Sequence, residues 1–452
     1  MAIDGDRRVD TDAPAGWHPL TRVAFRFSVV YFGLFCLLLS TITFMLLGIL
    51  GPWIGGQDGP WALAVTDPVT GWVGRTVFGV DAVLRQDSGA GDQAANWVLV
   101  FCILVVAVVA AVVWTAFDRR AAHPRLMAWF TLFIRVFLGG QMLAYGFAKL
   151  IPTQMPGPTL AQLLEPYGDL SPASVLWLQV GSSPAYEMAL GAVEVVAGLL
   201  LFVPRTAVLG AALSLLSMAN VFLTNMTFDI PEKLLSSHLV LLSLVLLAPY
   251  LRRLVTVFLR QRSCEPLTQP SLFTDPRRIR VALWIQVVIG IWIAVGCGYW
   301  RGVVWQEQYA ADSPKSELYG IWDVRDFSLD GQPAPPLTTD ENRWQRLVFD
   351  NPGEATYQRM NGDLVPALAD FRPDGQLELT TMTGMTEMTG GPAGSQRPFA
   401  TLHVEQPTPD RLSLRGQLND RSVVVTLDRV DLNSFVLRSR GFNWVQDYPY
   451  FR

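Results

Sequence analysis

The residues best placed to do chemistry are charges lodged in apolar stretches. Arg135 lies deep in the run 129–150 and Lys149 near its end. Glu187 and Glu194 lie in the run 186–203, Asn225 and Asp229 in a short polar turn, and His238 one turn into the next run. A charge at bilayer depth costs a few kcal/mol or more, so it turns toward protein or a wet cavity. Arg135, Gly139, Met142, Gly146 and Lys149 follow the spacing of one helix face, and the glycines on it admit a close neighbour. Counted from the ends of their runs, Arg135 and Glu194 sit roughly 12 Å and 15 Å deep at ~1.5 Å per residue. An Arg135–Glu194 ion pair is therefore expected, either as a static register lock or as part of a substrate or quinone site. Glu187 shares the Glu194 face, where Lys149, Asn225, Asp229, Lys233 and His238 can join it around a wet pocket that binds a ligand. Interfacial snorkelling accounts equally well for Lys149.

Several chemistries are excluded. The only histidines are His18, His123, His238 and His403, and one of them falls within a span, so a haem held by two facing histidines is ruled out. No cluster has metal-ligand spacing, and no catalytic triad, phosphate loop or dinucleotide fingerprint is present. Cys36, Cys102, Cys264 and Cys297 form no CxxC pair, which leaves them as isolated thiols. A net charge of -4 without a basic patch gives nucleic acid nothing to bind. Any redox role needs a diffusible cofactor, such as a quinone, or a partner subunit.

Half of the 452 residues are apolar and only 16% are charged, as expected of a membrane protein with a soluble part attached. A polar segment, 1–22, precedes a first span at 23–50, whose Arg26 is expected to snorkel to the headgroups. The loop 51–96, rich in Gly, Asp and Trp, is expected to lie outside near the interface, with Trp53, Trp61 and Trp72. A second span, 97–117, closes a region of two additional helices at 23–125. Residues 126–250 hold four more spans, at 129–150, 186–203, 206–223 and 234–250, with interfacial pieces in 151–185. A basic loop, 251–280, leads to a seventh span within 281–300. Arginines concentrate in loops 118–125, 205 and 251–280, and loops 51–96, 151–185 and 225–233 are poor in them. The positive-inside rule then predicts a cytoplasmic N-terminus and an extracytoplasmic C-terminal domain.

Residues 301–452 change character. Turn signals such as Asp330-Gly331, Asn361-Gly362, a 390–394 glycine loop and Asn419-Asp420 separate short alternating runs, including RLVF, SVVVTL and FVLRS. Many short strands at this spacing predict an antiparallel all-β barrel. Gly320-Ile321-Trp322 opens the first strand, and Arg438 and Arg440 are expected on the last, where a guanidinium can cover the indole. That arrangement resembles a lipocalin-type barrel. Such a barrel holds an apolar ligand if its interior is open, or presents a surface to a partner protein. His403 is a lone histidine on a strand. The fold class is thus an α-helical membrane bundle of seven transmembrane helices joined to a C-terminal β-barrel.

From about residue 127 to 250 the chain also resembles the DoxX/DoxD family of bacterial four-helix membrane proteins. Arg135 with Leu138-Gly139-Gly140, Gly146-Phe147-Ala148-Lys149-Leu150, Glu194 with Gly198, and the Phe228-Asp229-x-Pro231 turn carry the likeness. The resemblance implies a redox-associated membrane subunit, in the company of a partner that carries redox chemistry. Two spans before the module, and a seventh span with a barrel after it, depart from the family pattern.

Overall fold

The structure is a computed structural model that describes residues 17–39, 46–50, 61–86, 88–310, 312–382 and 398–451. Expectations for residues 1–16 and 40–45, for Trp53 and for the 390–394 loop lie outside the described residues. The chain divides into two compact units. One takes the chain up to Arg85 with Ala90–Leu150 and Leu190–Trp300; the other takes Gln86–Gly89, Ile151–Ala189 and Arg301–Arg452.

Among the described residues, seven helices are long and apolar enough to cross a membrane. They are α1 (Pro19–Leu38), α3 (Ala94–Phe117), α4 (Pro124–Leu150), α6 (Pro184–Phe202), α7 (Ala207–Thr227), α8 (Lys233–Leu247, running on to Phe258 through a short turn and α9, Leu251–Phe258) and α10 (Pro276–Gln308). Each matches an expected span, with shifted ends. The first is shorter than expected, since α1 stops at Leu38. Within the expected external loop lies a further helix, α2 (Trp61–Val73), carried on by one wide turn to Phe78. The chain is a multi-pass membrane protein. Helix α3 shows why: it buries only Ala95, Val98, Leu99, Ile103, Ala107 and Ala111, a stripe at helical spacing, and leaves Val105, Val109 and Val112 exposed.

The first unit is built on one apolar core to which α1, α3, α4, α6, α7 and α8 all contribute, from Phe35 and Ile103 to Leu138, Leu201, Met218 and Leu242. Helix α10 joins through a second cluster of Leu143, Val195, Phe202 and Ile293. Arg26, expected to reach the headgroups, is instead 1% exposed. Its Nη2 donates to the Asp118 carbonyl at 2.8 Å, and the guanidinium lies 5.7 Å from the Trp114 ring centre. The Asp118 carbonyl, at the C-terminal end of α3, therefore gives the cation an acceptor inside the protein.

In the second unit, residues 320–429 form a closed antiparallel barrel of eight strands, the up-and-down topology of lipocalins. They are β1 (Gly320–Leu329) and β3 to β9 (Trp344–Phe349, Glu354–Arg359, Leu364–Phe371, Gln376–Thr381, Ala400–Thr408, Arg411–Leu418, Arg421–Arg429); β2 (Gln332–Pro333) is a two-residue appendage to β1. Closure runs from Trp322 opposite Arg429 to Leu329 opposite Val423. The hairpin before β9 turns at Asn419 and Asp420, both at positive φ, as a tight two-residue turn requires. Alternate residues point inward, and side chains fill the interior: Trp322, Leu347, Phe349, Leu377, Leu402, Leu414 and Leu427 share one cluster, each at most 1% exposed. On the outer face of β1 and β3, Ile321 and Val348 are covered by Leu160 from the 151–189 segment. The Leu160 amide donates to the Asp350 carboxylate at 2.7 Å.

The arginine over Trp322 is Arg429, with its guanidinium 5.8 Å from the ring centre and Nη2 donating to the Tyr319 carbonyl at 2.8 Å. Neither Arg438 nor Arg440 is on a strand, contrary to the sequence expectation. After Arg429 the chain leaves the sheet, Asp431 caps a turn, and FVLRS forms a four-residue helix, α11 (Val436–Ser439). Arg438 lies on that helix, and Arg440 stacks on Tyr450 at 4.2 Å. The barrel was already closed one strand earlier, so no edge remained for FVLRS to pair with. Gly320 serves this corner, since a Cβ there would stand 3.1 Å from Arg429 Nε. Trp322 is 1% exposed and its indole donates to the Leu318 carbonyl at 2.9 Å. Trp322→Ala should therefore lower barrel stability by roughly 3–5 kcal/mol. Denaturant unfolding of purified protein tests this, and a loss under about 1 kcal/mol would contradict the buried ring.

Candidate functional site

Four glycines at seven-residue spacing set the bundle's central seam: Gly139 and Gly146 on α4, and Gly191 and Gly198 on α6. A Cβ on Gly146 would meet the Val195 amide at 2.8 Å, and one on Gly191 would meet the Leu150 amide at 2.3 Å. The two helices thus touch backbone to backbone. In this antiparallel register Glu194 faces Lys149 and not Arg135. Lys149 Nζ donates to Glu194 Oε2 at 2.8 Å, with side chains 6% and 2% exposed. Both side chains lean toward the N-terminus of their own helix, and in an antiparallel pair this brings them together. Ser217 on α7 donates to the other carboxylate oxygen at 3.3 Å.

Arg135 sits nearer the far end of α6, and the expected Arg135–Glu194 pair does not form. Its Nε and Nη2 donate to the Leu201 carbonyl at 2.9 and 2.6 Å. Leu201 is in the last turn of α6, where carbonyls lack helical partners and the helix dipole favours a cation. The depth arithmetic took the ends of α4 and α6 to be level, whereas Arg135, eleven residues into α4 (135 − 124), lies beside Leu201, one residue from the end of α6.

The remaining candidates do not converge. Asn225 Nδ2 donates to the Glu232 carbonyl and Ser236 Oγ at 3.0 and 3.1 Å, which braces the turn between α7 and α8. Asp229, at positive φ, pairs with Lys233 at 2.9 Å on the surface. His238 stacks on Phe35 with ring centres 4.0 Å apart. Its Nδ1 is 2.7 Å from the Leu234 carbonyl and must donate, so Nε2 accepts from the Tyr31 hydroxyl at 2.9 Å. That histidine is a core strut. Glu187, in the second unit, accepts from the Met155 amide at 2.9 Å. With Lys315, Asp350 and Arg438 it lines a polar cavity of about 540 Å³ in that unit. Burial raises the Asp350 carboxyl, and the Leu160 amide, Arg438 and Lys315 oppose it.

Arg135 lines a different cavity, of about 400 Å³, wholly within the first unit. Its walls are apolar, among them Leu132, Val203, Phe273 and Leu283, and its polar groups include Arg135, Arg205 and Gln286. Gln286 escaped the sequence reading, although it is a lone amide inside the apolar run 281–299, a pattern that marks an intramembrane polar site. Ser217 escaped it too, as one hydroxyl among many. The bundle supplies a sealed ion pair at Lys149 and Glu194 and an amphipathic cavity at Arg135. Among the described residues no group of three or more potential ligands is arranged to hold a metal ion.

Fold and site define a multi-pass helical membrane protein with an attached β-barrel and an Arg-headed apolar cavity. No family model and no solved structure matches the chain. It is 32% identical to a Bacillus subtilis (strain 168) protein named "Uncharacterized protein YwoB" over 149 residues, 31% of this chain and 86% of that protein. Through that stretch the chain belongs to the same family as YwoB.

Two predictions follow from the polar contacts. Lys149→Met and Glu194→Gln should each cost on the order of 3–5 kcal/mol, because each strands a buried charge, and the double variant should cost much less than their sum. Thermal unfolding in detergent reads the cycle; simple additivity would mean that the two side chains do not meet. Glu232, beside Asp92, is pushed by burial and by that carboxylate from 4.5 up to about 7. Its contribution to stability is complete below pH about 4.5 and lost as pH rises through about 7, since the folded state holds the extra proton in that window. Protease resistance of the 85–96 and 225–236 segments should fall across this range, and Glu232→Gln should flatten the fall.

Proposed function

We propose that this chain is a DoxX-like, redox-associated subunit or accessory factor of the bacterial plasma membrane, which binds a quinone in its helix bundle and leaves redox chemistry to a partner. The observation that carries the reading is the Arg135 cavity. Its volume and apolar walls suit a lipid-soluble ring, and Arg135 offers a donor for a ring oxygen. The Arg135, Lys149 and Glu194 motifs behind the family resemblance all lie on the α4–α6 seam, which supports treating that seam as the family core. Lys149 and Glu194 hold the helices together, and Arg135 alone of the three meets the ligand.

The filled barrel interior weighs against the other reading, an envelope module carrying an apolar ligand inside its barrel. The polar cavity at Glu187 and Arg438 leaves a partner-binding role for that unit. The bias of loop arginines supports a cytoplasmic N-terminus and an extracytoplasmic barrel. Alkaline phosphatase fused after the barrel should be active, and an inactive fusion there together with an active one in the 251–275 loop would reverse the orientation.

The binding experiment is purification in mild detergent with mass spectrometry of the co-extracted lipids. The wild-type protein should carry quinone at a large fraction of its molar amount. Arg135→Gln should lose most of it, and Glu187→Gln should keep it. Wild-type protein free of quinone, in cells that contain it, would overturn the reading.

A further inference from the structure

Gln286, on α10, lies on the wall of the Arg135 cavity. It is 8% exposed, and its Oε1 has no hydrogen-bond partner among the described residues. The amide cannot turn over to remedy this. Its Nε2 donates to the Ala282 carbonyl at 2.9 Å, and the reverse orientation would set two oxygens against each other. A buried acceptor without a donor is costly, so a ligand that supplies one gains affinity from this atom.

Arg135 imposes the opposite requirement. It is 4% exposed, and a guanidinium only donates. Nε and Nη2 are spent on Leu201, and no hydrogen bond is formed by Nη1 among the described residues. The cavity therefore offers donors from Arg135 and acceptors from Gln286 and from Gln269, whose Oε1 also has no hydrogen-bond partner among the described residues, between apolar walls. Its complement is an apolar ring that carries both an accepting oxygen and a donating hydroxyl.

Resting on the quinone reading above, we infer that this cavity binds the hydroquinone in preference to the quinone. A quinone presents two carbonyl oxygens, which satisfy Arg135 and leave Gln286 Oε1 without a donor. A hydroquinone presents two hydroxyls, one accepting from Arg135 and one donating to Gln286. Recognition by Gln286 thus reads the reduction state of the ring, and the site is built to receive a reduced carrier or to retain a newly reduced one.

The test is equilibrium binding to the full-length protein in detergent under anaerobic conditions, with decyl-substituted benzoquinone, its hydroquinone and the dimethyl ether of that hydroquinone as probes. The hydroquinone should bind at least about tenfold more tightly than the quinone, the difference expected from one satisfied buried acceptor. The dimethyl ether has no donor and should bind no better than the quinone. Gln286→Leu should cut the preference for the hydroquinone, and Gln286→Leu together with Gln269→Leu should bring quinone and hydroquinone to similar affinity, whereas Arg135→Gln should weaken both. Equal wild-type affinity for the two forms, or tight binding of the ether, would refute the selection by Gln286 and leave the quinone site standing. Failure of every probe to bind would overturn the quinone reading and this inference with it.

Discussion

The close approach of α4 and α6 is the constraint on which the bundle depends. Gly139, Gly146, Gly191 and Gly198 bring the two backbones to distances at which a methyl group would collide with main-chain atoms. Nothing the size of water fits there, so the charges beside the seam must satisfy each other. Lys149 and Glu194 do so across it. Phe202 then ends the tight region, wedged against Gly139 on one side and Gly290 of α10 on the other. Past this wedge α6 ends, and the cavity of Arg135 and Gln286 opens between α4, α10 and the 203–205 and 269–273 segments. Seam and cavity are two consequences of one packing, the first where small residues meet and the second where they stop.

Much of this was legible before any coordinates. All seven spans, the glycine-cut face from Arg135 to Lys149, and the all-β end were visible, because hydrophobic periodicity records which side of an element is buried. Partner choice between helices was not. It depends on the offset of one helix along another: α4 runs on past the end of α6, so Arg135 lies beside Leu201, while Lys149, 14 residues on (149 − 135), meets Glu194. The barrel shows the same limit: the need for an arginine over Trp322 was legible, but its position required knowing which strand closes the sheet, and Arg429 ends one strand before Arg438 was expected to lie on another. Glu187 was mistaken for a bundle residue because it shares a helix with Glu194, although it belongs to the second unit.

The two units solve burial in contrasting ways. The bundle keeps buried charges and gives each a partner, at the end of a helix or across the seam. In the barrel, Arg325, Arg411 and Asp428 bridge neighbouring strands at the surface, apolar side chains pack the interior, and Arg343 is a buried exception, 4% exposed with its guanidinium 5.8 Å from the Phe327 ring centre. An interior of that kind holds shape and not cargo. Polar features of the second unit gather instead around Glu187, Asp350 and Arg438, outside the barrel's lumen.

Closure of the barrel by its first and last strands has a consequence in time. β1 is hydrogen-bonded to β9, whose final residue lies 109 positions after Gly320 (429 − 320). At roughly 5–20 residues per second, β1 waits about 5–20 s for its second neighbour after it has been made. Throughout that interval Trp322 lacks its arginine and one margin of the growing sheet is bare, an invitation to pair with another chain. Leu160 covers the outer face at Ile321 and not that margin, so the edge of β1 stays open until β9 pairs with it.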